Sequence, residues 1–247
     1  MRDVVRKCVK ALKLIGASKW RVGLMHGVGA AIEHKGFLKG LDCQFVVDVG
    51  ANCGQFTLAA RVLCDTAKIH SFEPLSEPAE TFKTLFDSDD CVTLHQVALG
   101  VTREKKIMHI SKSIDSSSLF PISDLQEELF PGTSEVGETS VTVVPLHELL
   151  QPNEIVKPAL LKIDVQGYEL EVLRGCDDML SNFAHVYVEC SFVELYEGQP
   201  LARDIIDFLQ QRNFFMRGVY NMSYDRLGHA VQADFHFSNS ENMDASY

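Results

Sequence analysis

The sequence predicts an α/β fold in which helices cover both faces of a mostly parallel sheet. Short apolar runs alternate with segments of helical periodicity between residues 45 and 97, and the alternation resumes at residue 159. The runs are continuously apolar, as in strands that are buried on both faces. The last two runs, at 214–220 and 233–238, have no helix between them, which predicts an antiparallel pair at one sheet edge.

The first half of the chain predicts β-α-β-α-β. Its first strand is a β-branched run that stops at Gly50, and its second strand stops at Glu73 and Pro74. The helix between them repeats apolar residues every three or four positions, and the next helix has Pro78 in its first turn. The predicted elements are a strand at 45–49, a helix at 56–63, a strand at 68–72, the helix around Pro78 and a strand at 92–97.

A polar segment then interrupts the alternation. Residues 111–139 are rich in Ser, Glu, Asp and Gly, so we predict a long loop with one short helix at 124–129 and an extra edge strand at 141–144. Farther on, Gly175 lies where a helix would end on a left-handed C′ glycine. The later predicted elements are a strand at 159–164, a helix at 168–174, a strand at 185–189, a helix at 201–212 and the two closing strands.

The composition fits a globular domain and argues against several classes of protein. Of the 247 residues, 46% are hydrophobic, yet no run of about 18 apolar residues predicts a membrane span. The net charge of −11 argues against nucleic-acid binding. The seven cysteines have neither C-x-x-C spacing nor clustered metal ligands, so we expect reduced thiols in a cytoplasmic protein without a zinc site.

The charge is unevenly distributed along the chain. Residues 1–40 carry nine Lys and Arg against Asp3 and Glu33, whereas the rest of the chain carries 14 basic and 32 acidic residues. We therefore divide the chain into a basic helical N-terminal extension at 1–40 and a main domain at 41–247. The helical pattern within 1–36 leaves three uses open: packing on the acidic body, contact with a membrane surface, or a homodimer contact.

The turn after the first strand, at residues 48–54 (DVGANCG), joins a strand to a helix N-terminus and suits the close approach of a nucleotide. It matches the dinucleotide motif G-x-G-x-x-G poorly, because Asn52 and Gln55 replace the second and third glycines. Asp48 disfavours a pyrophosphate and favours a cationic part of a ligand, such as an ammonium group. A tight turn without a ligand is the competing interpretation.

Carboxylates end four of the predicted strands. Ligands of open α/β sheets bind outside the carboxyl ends of the strands, so Asp48, Glu73, Asp164 and Glu189 should gather at one edge. Glu73 can accept hydrogen bonds from both hydroxyls of a ribose. Lys162 lies two residues before Asp164 and therefore on the same side of its strand.

Several of these segments together resemble the FkbM family of S-adenosylmethionine-dependent methyltransferases. The resemblance spans roughly residues 44–238 and leaves out residues 1–40. Its most specific part is the run 161–175 (LKIDVQGYELEVLRG). Tyr168 departs from the family here, because a small residue is frequent at this position; the tyrosine either narrows the active centre or packs on the sheet. The other segments that carry the resemblance are 48–57 (DVGANCGQFT), 72–74 (FEP) and 116–119 (SSSL).

The resemblance implies a Rossmann-like class I methyltransferase with seven strands in the order 3-2-1-4-5-7-6 and an antiparallel strand 7. It implies S-adenosyl-L-methionine as cofactor, with the 50–54 turn at its methionine part, Glu73 at its ribose, and Asp164 facing its sulfonium and the acceptor. The acceptor would be a hydroxyl of a sugar or another small molecule. The implied cofactor-binding residues are Asp48, Gly50, Ala51, Asn52, Gly54, Phe56, Glu73, Pro74, Asp164, and, at the adenine, Val97 and Ala98.

We expect in-line methyl transfer, in which the protein mainly positions the reactants. Because an alcohol is a weak nucleophile, Asp164 is expected to act as base or acceptor anchor, with Lys162 and Glu189 as alternative catalytic residues. A magnesium ion held by Asp164 and Glu189 is a further alternative, as is a histidine such as His147. We expect the loop at 111–140 to select the acceptor without affecting cofactor affinity. The competing functions are a non-catalytic domain that binds cofactor or a partner, and an NAD-type oxidoreductase, which the missing glycines disfavour.

Overall fold

The structure, a computed structural model, describes residues 18–240 of the chain. Its strands are β1 (Phe45–Val49), β2 (Lys68–Phe72), β3 (Val92–His95), β4 (Ala98–Leu99), β5 (Glu104–Ser111), β6 (Glu135–Val144), β7 (Ala159–Ile163), β8 (His185–Ser191), β9 (Phe214–Tyr224) and β10 (Ala230–Asn239). Its α-helices are α1 (Ser18–Met25), α2 (Lys35–Leu38), α3 (Gln55–Leu63), α4 (Ser76–Phe86), α5 (Asp124–Leu129), α6 (Glu169–Gly175) and α7 (Ala202–Gln210).

The main sheet has seven strands in the order β3-β2-β1-β7-β8-β10-β9. Strand β10 runs antiparallel to both of its neighbours, and the other neighbouring strands of this sheet pair in parallel. The predicted strand order, the antiparallel last strand and the α/β fold class are therefore confirmed. The carboxyl ends of β1, β2, β7 and β8 meet at one edge of the sheet.

The central strands are buried on both faces, and this fixes the positions of their ends. All five residues of β1 and all five of β7 are buried. Phe45 and Val47 face a core shared with α6 and α7, whereas Val46 faces a core that includes Trp20 of α1 and Phe56 of α3. Burying one large apolar side chain contributes about 1.5–3 kcal/mol, so both layers hold the sheet firmly.

The polar interruption is more structured than the sequence predicts. Strands β5 and β6 pair antiparallel, and β4 pairs with β6, so that a separate three-stranded sheet has the order β4-β6-β5. The predicted loop at 111–139 is thus wrong at its C-terminal end, where β6 begins at Glu135. The predicted edge strand at 141–144 is the end of the central strand of this small sheet, and the short helix at 124–129 is confirmed as α5.

Gly175 has a different role from the predicted helix cap. It is the last residue of α6, and it is not among the glycines with positive φ. A Cβ atom at this position would lie 2.1 Å from the backbone oxygen of Gly100. The glycine is therefore required by the close approach of the backbone that follows β4, which any side chain would prevent.

The N-terminal segment packs on the main domain through α1. The indole Nε1 of Trp20 donates to the backbone oxygen of Leu58 at 3.1 Å, and Nζ of Lys19 lies 2.9 Å from Oδ2 of Asp89. Residues 1–17 of the predicted helical pattern within 1–36 lie outside the described residues, and the division at residue 40 stays a prediction. Between residues 18 and 240, no helix has the length and apolar character needed to cross a membrane.

Candidate active site

The turn between β1 and α3 forms the floor of a cavity at the carboxyl edge of the sheet. Gly50 has a φ of +77°, and a Cβ atom there would lie 1.8 Å from the backbone oxygen of Asp164. The backbone N–H groups of Gly50 and Ala51 both donate to the oxygen of Phe72 at 3.0 Å, which ties the turn to β2. Glycine is therefore needed at position 50, because the ends of β1 and β7 touch there.

Asp48 and Lys162 form a buried ion pair directly behind this turn. Asp48 is fully buried; its Oδ2 accepts a 2.7 Å hydrogen bond from Thr57, and its Oδ1 lies 3.1 Å from Nζ of Lys162. The same Nζ donates to the backbone oxygen of Gly50 at 3.1 Å. Burial alone would lower the pKa of Lys162, but the carboxylates of Asp48 and Asp164 outweigh that effect and raise it.

This pair changes the interpretation of both residues. Lys162 stays charged and holds the turn, so its environment argues against the predicted role as an alternative base. The carboxylate of Asp48 is neutralised by Lys162 and does not line the cavity, so the structure gives no support for its predicted contact with a cationic ligand. Lys162 instead positions the turn on which a cofactor would rest.

Glu73 presents its carboxylate to the cavity from the end of β2. Its Oε2 accepts from the backbone N–H of Asn52 at 3.0 Å, and its Oε1 accepts from that of Leu75 at 2.8 Å. Burial raises the pKa of Glu73 to about 7 in spite of these two donors. Each oxygen retains a lone pair, so the ionised group can accept two further hydrogen bonds from neighbouring hydroxyls.

The walls of the cavity come from three parts of the chain. Those predicted cofactor residues that line it are Gly50, Asn52, Glu73, Pro74, Ala98 and Asp164, while Asp48, Ala51, Gly54, Phe56 and Val97 lie outside its lining. Apolar side chains that the sequence analysis missed complete the slot, among them Leu99, Met108, Ile114, Leu119 and Val172. Tyr168 lines the cavity, and it is also buried in the core that the strands of the main sheet share with α6, so packing on the sheet is supported, whereas narrowing of the active centre stays a prediction.

Gln166 lies between two of the predicted catalytic carboxylates. Its Nε2 donates to Oδ1 of Asp164 at 2.8 Å and to Oε2 of Glu189 at 3.0 Å, while its Oε1 accepts from the hydroxyl of Tyr196 at 2.7 Å. All three polar contacts agree on one orientation of the amide. Sequence reasoning missed this residue, although it lies inside the most specific motif, because its left-handed backbone (φ +58°) and its contacts with residues distant in sequence leave no pattern.

The arrangement around Glu189 does not support the magnesium ion that was considered as an alternative. Gln166 donates to one of its oxygens, and Nε2 of Gln232 donates to the other at 2.8 Å, so an amide group already lies between Asp164 and Glu189. Burial, with added repulsion from Asp164, raises the pKa of Glu189 well above its usual value. Within residues 18–240, the one group of three potential metal ligands within mutual reach lies elsewhere, on the small sheet, at His109, Glu135 and Glu138.

The segment between β5 and β6 is attached directly to this site. The hydroxyl of Ser118 donates to the backbone oxygen of Gln166 at 2.6 Å, and Asp115 and Ser117 line the cavity. His147, the histidine suggested by the sequence, lies instead 3.2 Å from Asp178 and does not line the cavity. The segment therefore forms one wall of the cavity that Glu73 and Gly50 share.

Comparison with known proteins gives the chain a family. The sequence profile described as "Methyltransferase FkbM domain" matches residues 48–216. Methyltransferase 1 of Beauveria bassiana (strain ARSEF 2860) is 31% identical over 161 residues, which cover 56% of this chain and 60% of that protein. Hexuronic acid methyltransferase AglP of Haloferax volcanii is 31% identical over 150 residues, covering 58% and 54% respectively.

A third relative, 2-O-methyltransferase NoeI of Sinorhizobium fredii (strain NBRC 101917 / NGR234), is 27% identical over 183 residues, covering 70% of this chain and 75% of that protein. The chain thus spans only 60% and 54% of the first two relatives. Among solved structures, precorrin-6y C5,15-methyltransferase from Geobacter metallireducens GS-15 pairs with it at a TM-score of 0.47 and 10% identity, over 84% of this chain and 88% of that one. Because the family profile covers most of the chain and includes Gly50, Glu73 and Asp164, this protein belongs to the FkbM methyltransferase family.

Proposed function

We propose that the protein is an S-adenosylmethionine-dependent O-methyltransferase that acts on a hydroxyl of a sugar or another small molecule. The observation that carries this proposal is one continuous cavity with three unlike parts. Gly50 and Asn52 of the turn after β1 form its floor, Glu73 lines it with a carboxylate, and Asp164 and Gln166 line it with polar side chains from the segment after β7. The names of two relatives, a hexuronic acid methyltransferase and a 2-O-methyltransferase, agree with a carbohydrate acceptor.

The residues present suit S-adenosylmethionine, a methyl donor activated by its positive sulfonium. Glu73 would accept hydrogen bonds from the two ribose hydroxyls, and the apolar slot at Ala98 and Leu99 would cover the adenine. Asp164, which also lines the cavity, is partly exposed and would place negative charge near the sulfonium. A pyrophosphate fits less well, because Glu73, Asp115 and Asp164 all face the same cavity.

The acceptor would bind beyond Asp164. We propose that Asp164 orients the acceptor hydroxyl as a hydrogen-bond acceptor, with Gln166 holding its carboxylate in place. The segment between β5 and β6 would contribute to acceptor choice through Asp115 and Ser117. Since these side chains line the same cavity as Glu73, we now expect replacement of the segment to weaken cofactor binding as well.

Calorimetry tests the cofactor half of the proposal. S-adenosylhomocysteine should bind to the wild type, whereas NAD should not. The Glu73→Ala variant should bind S-adenosylhomocysteine at least tenfold more weakly, because hydrogen bonds to a charged group contribute about 1.5–3 kcal/mol. Glu77→Ala, which removes an exposed carboxylate four residues away, is the matched control and should bind normally. Failure of S-adenosylhomocysteine to bind, with NAD binding instead, would favour the oxidoreductase.

Transfer of tritiated methyl groups to a panel of neutral glycosides, glycosides of hexuronic acids and amino sugars tests the catalytic half. Product analysis should locate the methyl group on oxygen. Asp164→Asn should retain S-adenosylhomocysteine affinity and lose turnover, because the amide cannot replace the carboxylate at the acceptor hydroxyl. Unchanged turnover would remove Asp164 from the chemistry, and cofactor binding without transfer to any acceptor would favour the non-catalytic alternative.

A further inference from the structure

A histidine and two glutamates meet on the outer face of the small sheet, which is the face opposite to that of the cavity-lining Met108. Nδ1 of His109 on β5 lies 3.1 Å from Oε2 of Glu135 and 3.6 Å from Oε1 of Glu138, both on β6. One ligand atom from each of the three side chains lies within 4.8 Å of the other two. Imidazole nitrogen and carboxylate oxygen are common ligands of zinc and related transition metals in proteins.

An irregularity in the strand pairing brings the second glutamate to this face. Residues three apart in a regular strand point to opposite faces of a sheet. His109 pairs with Glu138 across the two strands. The register shifts two residues later, so that Glu135, and not Val136, lies opposite Ser111. All three ligand side chains therefore share one face, as expected where a β-bulge re-aims a side chain.

The distances suit a metal ion of the size of zinc. Zinc binds nitrogen and carboxylate oxygen at about 2.0–2.2 Å, so the ligand atoms of a tetrahedral site are about 3.3–3.6 Å apart. The distances of 3.1 and 3.6 Å from Nδ1 of His109 are close to this range, so the carboxylates need only a small adjustment. Magnesium and calcium fit less well, because they prefer sites made of oxygen ligands alone.

An ion pair with the histidine does not balance the charge of this group. A protonated imidazole carries one positive charge and faces two carboxylates, which repel each other. Between residues 18 and 240, neither Glu135 nor Glu138 forms an ion pair with a lysine or an arginine. A divalent cation would neutralise both carboxylates at once. The side chain of His109 is 15% exposed and that of Glu138 is 55% exposed, so the open side of the group can supply water as a further ligand.

The backbone at His109 is joined to the wall of the cavity. The N–H of His109 donates to the oxygen of Ser118 at 2.8 Å, and the N–H of Ser118 donates to the oxygen of His109 at 3.1 Å. The neighbouring Ser117 lines the cavity, as does Met108. An ion on the outer face would therefore lie apart from the cavity and would fix the two strands that support its wall.

We propose that His109, Glu135 and Glu138 bind one divalent transition-metal ion, such as zinc, which joins β5 to β6. The site is structural and does not depend on the proposed function, because its ligands face away from the cavity. Its ligands include no cysteine, and 26 positions of the chain separate His109 from Glu135. The sequence spacing that is typical of zinc sites is therefore absent, and only the pairing of β5 with β6 brings the ligands together.

Titration of the full chain with the metal alone tests this site. Calorimetry with Zn²⁺ and absorption spectroscopy with Co²⁺ measure the number of ions bound. His109→Gln and Glu138→Gln should each bind one equivalent fewer than the wild type. His147→Gln is the matched control, because His147 lies 3.2 Å from the single carboxylate of Asp178, and it should keep the stoichiometry of the wild type. Comparing variants separates this site from thiols that also bind these metals.

Zn²⁺ should also raise the Tm of the wild type, because an ion that binds only the folded chain stabilises it, and this rise should be smaller in both variants than in His147→Gln. Circular dichroism without metal checks that each variant is folded. Glu138→Gln alters the more exposed ligand and keeps the test decisive if His109→Gln fails to fold. Equal stoichiometry in the wild type and the folded variants would overturn the proposal, and so would displacement of Co²⁺ from this site by an equal concentration of Mg²⁺.

Discussion

Replacing Lys162 with methionine should destabilise the fold more than its volume change suggests. Methionine keeps the length and apolar character of the side chain, so little packing is lost. The variant leaves the fully buried carboxylate of Asp48 with only its hydrogen bond from Thr57. Removing one partner of a buried ion pair costs about 3–5 kcal/mol, a large part of the 5–15 kcal/mol that is typical of whole domains.

Urea unfolding followed by circular dichroism measures this loss, and for a chain of this size it corresponds to a fall in Tm of roughly 6–20 °C. Lys105→Met, at an exposed lysine that contacts Thr142 on the small sheet, is the control and should change the unfolding free energy by less than about 0.5 kcal/mol. The double variant Asp48→Asn, Lys162→Met should be more stable than Lys162→Met alone, since it removes the unpaired charge. Equal losses in the single and double variants would refute the electrostatic explanation.

Three further predictions follow from buried groups and close contacts. Affinity for S-adenosylhomocysteine should fall as the pH drops below about 7. Burial raises the pKa of Glu73 to about 7, and only the ionised group accepts from both ribose hydroxyls. Calorimetry from pH 6 to 8 measures this change, and an unchanged affinity would contradict the prediction. Burial also raises the pKa of Glu169 to about 7, so the folded state holds that proton more tightly than the unfolded state, and stability should be lost as the pH rises from 4.5 through 7. Urea denaturation across this pH range should show that Glu169→Gln loses less unfolding free energy than the wild type, by up to about 3 kcal/mol. An identical pH profile in the two proteins would exclude Glu169 as the cause. Gly175→Ala should lower the unfolding free energy by about 1–3 kcal/mol, because the new Cβ would lie 2.1 Å from the backbone oxygen of Gly100. The control Gly36→Ala, whose Cβ would have no atom within 4 Å, should not lower it. Similar losses in the two variants would argue against a steric origin.

The centre of the main sheet could be predicted because β1 and β7 are short and mostly apolar and each is followed by a helix. The bounds predicted for β1 and β2 agree with the structure at both ends. Glu73 and Asp164 could be placed at the cavity because each follows directly after such a strand. The parallel arrangement then brings their positions to one edge without any knowledge of side-chain contacts.

What the sequence could not predict depends on contacts between distant segments. Strand β5 begins with Glu104, Lys105 and Lys106, and within it only Met108 and Ser111 are buried, so it lacks the apolar run of a central strand. The ion pair of Asp48 with Lys162 arises from the pairing of β1 with β7 across 114 positions of the chain, which no local pattern encodes.

The contact of Gly100 with Gly175 has a consequence for engineering. Together with the hydrogen bond from Ser118 to Gln166, it fastens the small sheet to the main domain at two separate points. A chimaera that receives the segment between β4 and β6 from a relative would therefore need both glycines and the serine in order to dock correctly. Relatives that keep these three residues are the natural donors for swapping acceptor specificity, and grafts that lack them should yield misassembled protein.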